Sequence, residues 1–225
     1  MIIRFARHGQ PALTGLPPGT NYEFPPMDRE LSVLGVEQAH RLGRHLKNEG
    51  FQGRIISSPL VRTITTAEII AEECDLTFYL EPRMQEMRIY TAPYMGLTIE
   101  EIRKAFPRLA ADATLPFPWT VEDPNEQVEQ VSIRVNELVE ELLANPPADD
   151  ILLIGHGATI GALKRFFFNR SGEVIDSSYY WNCALSRYDV APDGSVVMVE
   201  LARYDFMPDE MVTSNKRHLT DPKEI

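Results

Sequence analysis

The chain has 225 residues, enough to bury one substantial core, and its apolar (44%) and charged (24%) fractions are those of a folded globular protein. A formal charge of -11 at pH 7 argues against a nucleic-acid or anionic-membrane surface, because either needs clustered Lys and Arg to displace counterions. A small anionic ligand remains admissible: salt screens the outer envelope over about 8 Å, so a local positive pocket can dominate.

Residues 2–6 form an apolar run in which β-branched Ile2 and Ile3, with Gly9 behind them, indicate a strand. Ser32 is placed to cap a helix whose Ala39, Leu42 and Leu46 recur at helical spacing, and Gly50 stands where it should stop. Ile55-Ile56 reads as a second strand running into Ser57-Ser58-Pro59. There Ser58 can cap and Pro59 suits the first helical position, with Ile64, Ala67 and Ala71 as the inner stripe. Leu76 to Leu80 gives a third strand, and Thr98 to Glu101 is a Thr-x-x-Glu capping box opening a helix that Pro107 ends. From Pro107 to Pro124 the chain reads as a long irregular excursion placed to cover a site.

Val128, Val131, Val135, Leu138 and Leu142 mark the clearest helix, ended by NPPADD. Ile151 to Ile154 is a buried-strand run that ends in Gly155-His156-Gly157 before a helix from Ala158 to about Phe168. The stretches 182–190 and 196–204, joined by Pro192-Asp193-Gly194, read as a hairpin. One domain over 1–206 and a loosely held polar tail over 207–225 are expected. The alternation implies a three-layer αβα architecture: a mainly parallel sheet with C-terminal hairpin strands, and ligands beyond the carboxyl ends of the strands.

Cys74 and Cys183 are too few for a disulfide framework, lie in no metal-ligand spacing, and read as buried small hydrophobes. No stretch reaches the roughly 20 apolar residues of a membrane span, the N-terminal run is too short for a signal peptide, and a cytoplasmic location is expected. His40, His45 and His218 have no partners by spacing and read as solvated or structural. Phe166-Phe167-Phe168 reads as a buried helix end.

Three strand ends carry the unusual chemistry: Arg7-His8-Gly9, Ser57-Ser58 with Arg62 one turn further on, and Gly155-His156-Gly157. On parallel neighbours, two imidazoles and two guanidiniums converge on one crevice backed by helix N-termini. Such a crevice suits a phosphate, because Arg forks match its oxygens, helix amides add donors, and glycines such as Gly157 let the backbone approach. A neutral His there is a competent nucleophile toward phosphorus. With an ordinary pKa near 6.5, His8 is roughly three-quarters neutral at pH 7, and adjacent guanidiniums favour that form further.

The ordered set RHGQ at 7–10, LSVLGVEQA at 31–39, SSPLVRTITTA at 57–67, MQEM at 84–87, IGHGATIGAL at 154–163 and NCALSR at 182–187 resembles the histidine phosphatase superfamily, the phosphoglycerate-mutase-like group. The resemblance implies that His8 attacks phosphorus while Arg7, Arg62 and His156 clamp the phosphoryl oxygens. It also implies that Glu86 protonates the leaving alcohol, and that neither metal nor organic cofactor is needed. Glu81 and Glu100 are the other carboxylates eligible for the acid, since the Gly and Trp usual after it are missing from EMRIYTAPYMG. Gln10 replaces a common Glu. Thr14 falls where the mutases carry an Asn facing the phosphate, and PNEQ at 124–127 replaces a Gly-Gly-Glu-Ser type segment with Glu126 at the glutamate. The mutase substrate motif after Arg-His-Gly is absent, so the expectation is a phosphatase for a small phosphorylated metabolite. A phosphoglycerate-type mutase and a catalytically degenerate phosphate-binding regulator stand as alternatives; neither the particular phosphomonoester nor the oligomeric state is legible.

Overall fold

A computed structural model describes residues 1–12, 28–87, 96–120, 125–172 and 181–213. The N-terminal run forms β1 (Ile2–Arg7), and Ser32 caps α1 (Val33–Asn48) by accepting the Gly35 N–H at 3.0 Å. Gly50, at φ 75°, turns the chain out of that helix. Then come β2 (Arg54–Ser57), α2 (Val61–Cys74), β3 (Phe78–Leu80), α3 (Ile99–Ala105), α4 (Val128–Ala144), β4 (Asp150–Gly155), α5 (Gly157–Ser171), β5 (Leu185–Val190) and β6 (Val196–Arg203).

The six strands form one sheet in the order β3-β2-β4-β1-β5-β6. The first four positions are mutually parallel, whereas β5 runs antiparallel to β1 and β6 antiparallel to β5. Leu42, Leu46, Ile64 and Ile70 of α1 and α2 pack with Ile55 and Leu152 on one face. On the other, Val131, Val135, Leu163 and Phe167 of α4 and α5 pack with Ile3, Phe5 and Leu153. This is the expected three-layer α/β arrangement. Strand β4 is buried on both faces, which is why Ile151 to Ile154 reads as an unbroken apolar run. Phe167 stacks on Tyr188 at 4.7 Å between ring centroids, and Tyr188 on Phe5 at 5.6 Å, so the Phe triplet anchors α5 to the sheet.

Three expectations are corrected. Helix α2 starts at Val61, not after Ser58. Its first turn is capped from outside by Asp28, whose Oδ1 accepts the Val61 N–H at 2.6 Å, while the Ser58 hydroxyl accepts the Leu60 N–H at 3.4 Å ahead of the helix. Residues 106–120 hold no strand or helix, yet they do not hang free. Phe78 donates its N–H to the Arg108 carbonyl at 3.0 Å and its carbonyl accepts the Ala110 N–H at 2.9 Å, which covers the β3 edge, and Leu109, Ala113, Leu115 and Trp119 are buried in the core. Residues 207–213 are docked, because Met207 is buried and Asn182 donates its N–H to the Thr213 carbonyl at 2.8 Å. Three strands are also shorter than expected: β3 begins at Phe78, β5 only at Leu185, after Cys183 at φ 56°, and β6 ends at Arg203.

Between Gly9 and Gly35 the loop after β1 lies directly on the first turn of α1. A Cβ at Gly35 would sit 2.1 Å from the Gln10 carbonyl oxygen, and one at Gly9 would sit 2.3 Å from the Gly35 oxygen. Both obstacles are backbone, so neither side can move without shifting the loop. Ala at a helical position ordinarily gains about 1 kcal/mol over Gly, but overpacking costs about 1–3 kcal/mol. Gly35→Ala is therefore expected to destabilise, lowering the urea midpoint; a raised midpoint would show that this contact is loose.

Candidate active site

The parallel register aligns three strand ends. Arg7 stands opposite Gly155, and Ser57 opposite Ile154, with β4 between β2 and β1. The ladder continues one residue beyond each end: His8 donates its N–H to the Gly155 carbonyl, and Ser58 to the Ile154 carbonyl, both at 3.0 Å. His8 and Ser58 thus flank His156 as a continuation of the sheet, and the rings of His8 and His156 lie 5.2 Å apart.

His8 is buried, and its Nδ1 lies 2.6 Å from the Gly9 carbonyl oxygen. A carbonyl only accepts, so Nδ1 carries the proton and Nε2 the lone pair. That lone pair accepts the Arg62 Nε–H at 3.2 Å, Arg62 being the second residue of α2. Burial, then the charges of Arg62 and Arg7, hold the His8 pKa well below the ordinary value. His156 is likewise held well below the ordinary value by burial, then by Arg62, His8 and Arg7. Its Nε2 meets the Ser58 hydroxyl at 2.8 Å. Burial also lowers the pKa of Arg7, against the raising influence of Glu86. The sequence-derived set of Arg7, His8, Arg62 and His156 is therefore one electrostatic cluster.

Glu86 joins it. Its carboxylate accepts N–H bonds from Gly157 to Oε2 (3.1 Å), and from Ala158 (3.1 Å) and Met87 (2.9 Å) to Oε1. The first amides of α5 thus hold an anion, as helix N-termini do, and the Gly157 N–H expected to meet phosphate is given to Glu86. Of roughly four acceptor positions on the carboxylate, these amides fill three and leave one on Oε2. The rival carboxylates are elsewhere. Glu81 caps a short 3₁₀ turn at Pro82–Met84 and pairs with Arg83 at 2.7 Å, while Glu100 is exposed in the first turn of α3. Thr14 and His218 lie outside the described residues. His40 pairs with Glu73, and His45 stacks on Phe206, both away from the cluster. Cys74 and Cys183 are buried thiols.

Sequence reasoning missed the residues that hold the loop carrying His8. Antiparallel β5 starts where β1 ends, which brings Asn182 beside His8, and its Nδ2 donates to the His8 carbonyl at 2.8 Å. Thr213 donates its hydroxyl to Asn182 Oδ1 at 3.2 Å. Fully buried Gln38 donates to the Thr213 hydroxyl (2.8 Å) and the Met211 carbonyl (2.6 Å) while accepting the Gln10 N–H at 2.8 Å. Thr66 accepts the Gly9 N–H at 3.1 Å. A polar Gln38 within the apolar stripe of α1 was the available signal, since a buried amide needs partners. Among the described residues, no group of three or more His, Cys, Asp or Glu is placed to hold a metal ion, and no helix is long and apolar enough to cross a membrane.

Residues 3–201 match the family model of the histidine phosphatase superfamily (branch 1). A probable phosphoglycerate mutase GpmB of Yersinia pestis (strain Pestoides F) is 30% identical over 167 residues, covering 72% of this chain and 74% of that protein. The fold is shared with Bacillus stearothermophilus YhfR (TM-score 0.62, 21% identity, 91% of this chain and 98% of that one). It is shared also with the ecdysone phosphate phosphatase of Bombix mori in complex with tungstate (TM-score 0.64, 16% identity, 90% and 93%).

Two buried imidazoles with depressed pKa values make folding pH-dependent. The unfolded chain takes up protons near pH 6.5 and the folded one does not. Their contribution is therefore complete above pH 6.5 and declines as pH falls below it. Between pH 7.5 and 5.5, in phosphate-free buffer, each imidazole is expected to withdraw roughly 1 kcal/mol, or ~2–3 kcal/mol together. Urea denaturation across that range measures the loss, and His8→Asn should remove about half of it. An unchanged profile in that variant would mean that His8 titrates normally in the folded state.

Proposed function

The chain belongs to the histidine phosphatase superfamily, and from that premise we propose that it hydrolyses small-molecule phosphomonoesters through a phosphohistidine on His8. The observation that carries this reading is the fixed tautomer of His8. Its Nδ1–H is tied to the Gly9 carbonyl, and its Nε2 lone pair is turned to the Arg62 guanidinium in a cluster whose burial and positive charge keep the ring neutral. A phosphoryl group entering the cluster displaces the Arg62 N–H from Nε2 and takes it as its own donor.

In the first step the Nε2 pair forms a bond to phosphorus as the ester P–O bond breaks. Arg7, Arg62 and His156 hold the equatorial oxygens, and Glu86 gives a proton to the departing alkoxide from Oε2. In the second step a water attacks phosphorus and yields its proton to Glu86. The N–P bond returns its pair to Nε2, and inorganic phosphate leaves. Charge neutralisation comes from Arg7 and Arg62, so the step is written without a metal. Ser58 orients His156, and Asn182, Thr213 and Gln38 fix the loop that carries His8. The substrate is proposed as a phosphorylated metabolite in the cytoplasm.

The relatives named as probable phosphoglycerate mutases favour a second reading, in which the phosphoryl group on His8 returns to an alcohol of the same substrate class rather than to water. Inorganic phosphate release and phosphoryl transfer from a phosphoglycerate, measured side by side, separate the two; dominant transfer would replace the hydrolase reading.

Turnover of p-nitrophenyl phosphate is expected to persist in EDTA. His8→Ala should bring it to background, and rapid-quench labelling should find phosphorus on His8 in the unaltered protein. Steady turnover in His8→Ala would end the covalent reading. Arg62→Ala should cost about 100- to 1,000-fold, by analogy with removal of one oxyanion donor. Intact rate and phosphate affinity in that variant would put Arg62 outside the pocket.

A further inference from the structure

The segment that delivers Glu86 is a short irregular stretch between β3 and a region outside the described residues, yet a proton donor must be held to a fraction of an ångström. Its restraint comes from α4. Arg134 grips Glu126 with a two-point fork, Nε to Oε1 at 2.6 Å and Nη2 to Oε2 at 3.0 Å, and donates Nη1 to the backbone carbonyl of Arg83, three residues before Glu86. Glu126 is 2% exposed and the Arg134 side chain 13%. Between the held carbonyl and Glu86 stand Met84 and Gln85, both buried, with Met84 packed under Gly155. A Cβ at Gly155 would lie 2.7 Å from its Cε.

The bland alternative is a scaffold ion pair. Burying such a pair brings little net stability, because desolvation offsets the attraction, whereas a pair that fixes geometry has a reason to be buried. The third donor of Arg134 points to geometry, since it goes to the turn carrying the candidate acid rather than to a second carboxylate. Arg134 is also near enough to His156 for its charge to help depress that imidazole.

We propose that the Glu126–Arg134 pair is a positioning device for the acid: Glu126 orients the Arg134 fork, and Arg134 holds the Arg83 carbonyl so that the Glu86 carboxylate stays at the leaving-group oxygen. The inference rests on Glu86 being the proton donor, and it makes neither Arg134 nor Glu126 a catalytic residue.

The test is kcat/KM across phosphomonoesters from 2,4-dinitrophenyl phosphate, which needs no proton on its leaving oxygen, to alkyl phosphates, which do. Arg134→Lys keeps the charge near His156 and loses the fork. It is expected to cost less than about 3-fold with the dinitrophenyl ester and about 10- to 100-fold with alkyl esters. The neutral pair Glu126→Gln with Arg134→Met, which leaves no lone buried charge, should show the same tilt, and adding Glu86→Gln to either should steepen it no further. Equal losses across the series, or additive losses with Glu86→Gln, would overturn the positioning role. So would loss of folding in both variants of the pair, because it assigns the pair to the scaffold. Glu86→Gln alone is the control: if it lacks leaving-group dependence, the acid assignment itself has failed. If it shows the dependence and the Arg134 variants do not, only the present inference falls.

Discussion

Two guanidiniums and two imidazoles share one buried cluster, and the protein must keep that cluster from repelling itself. Burial lowers the pKa of Arg7, Glu86 opposes that, and the neighbouring charge of Arg62 adds to it. The imidazoles relieve the remainder by staying neutral. Electrostatic necessity and the proposed chemistry therefore coincide: the same repulsion that would make a protonated His8 costly leaves its Nε2 lone pair available.

Holding four such groups together requires a backbone that does not yield. The sheet provides this by continuing its ladder past the last residue of each strand, so that His8 and Ser58 are still hydrogen-bonded as strand residues although they already line the crevice. Side chains finish the restraint. Asn182, Thr213 and Gln38 bind the loop after β1 from behind, while Gly9 and Gly35 let it lie against α1 without a side chain between. Every buried amide named here has a partner, the condition under which a polar network rigidifies rather than weakens a core.

The reversal of strand direction at β5 has a consequence for the site. A fifth parallel strand would end beside Arg7; the antiparallel one begins there, and its first turn can therefore present Asn182 to the His8 carbonyl. The docked residues 207–213 follow from the same choice, because the hairpin returns the chain to the site end of the sheet. The negative envelope of the molecule does not oppose this local positive cluster at physiological salt, since the cluster acts over distances shorter than the screening length of about 8 Å.

The sequence by itself determined the alternation of strands and helices, the apolar faces, and the identity of the four polar residues at strand ends. All of these are local signals: periodicity, caps, and charged residues where an apolar run stops. Through the family resemblance it also pointed to Glu86 as the candidate acid and left Glu81 and Glu100 as rivals, because which carboxylate reaches the amides of α5 is set by packing between segments far apart in the chain. The Asp28 cap on α2, the partners of Gln38, the turn of Ser58 toward His156 and the grip of Arg134 on the Arg83 carbonyl were likewise decided by tertiary structure alone. A hydrogen bond between residues tens of positions apart leaves no period in the sequence. It exists only once the sheet order and the two helical layers have brought its ends together.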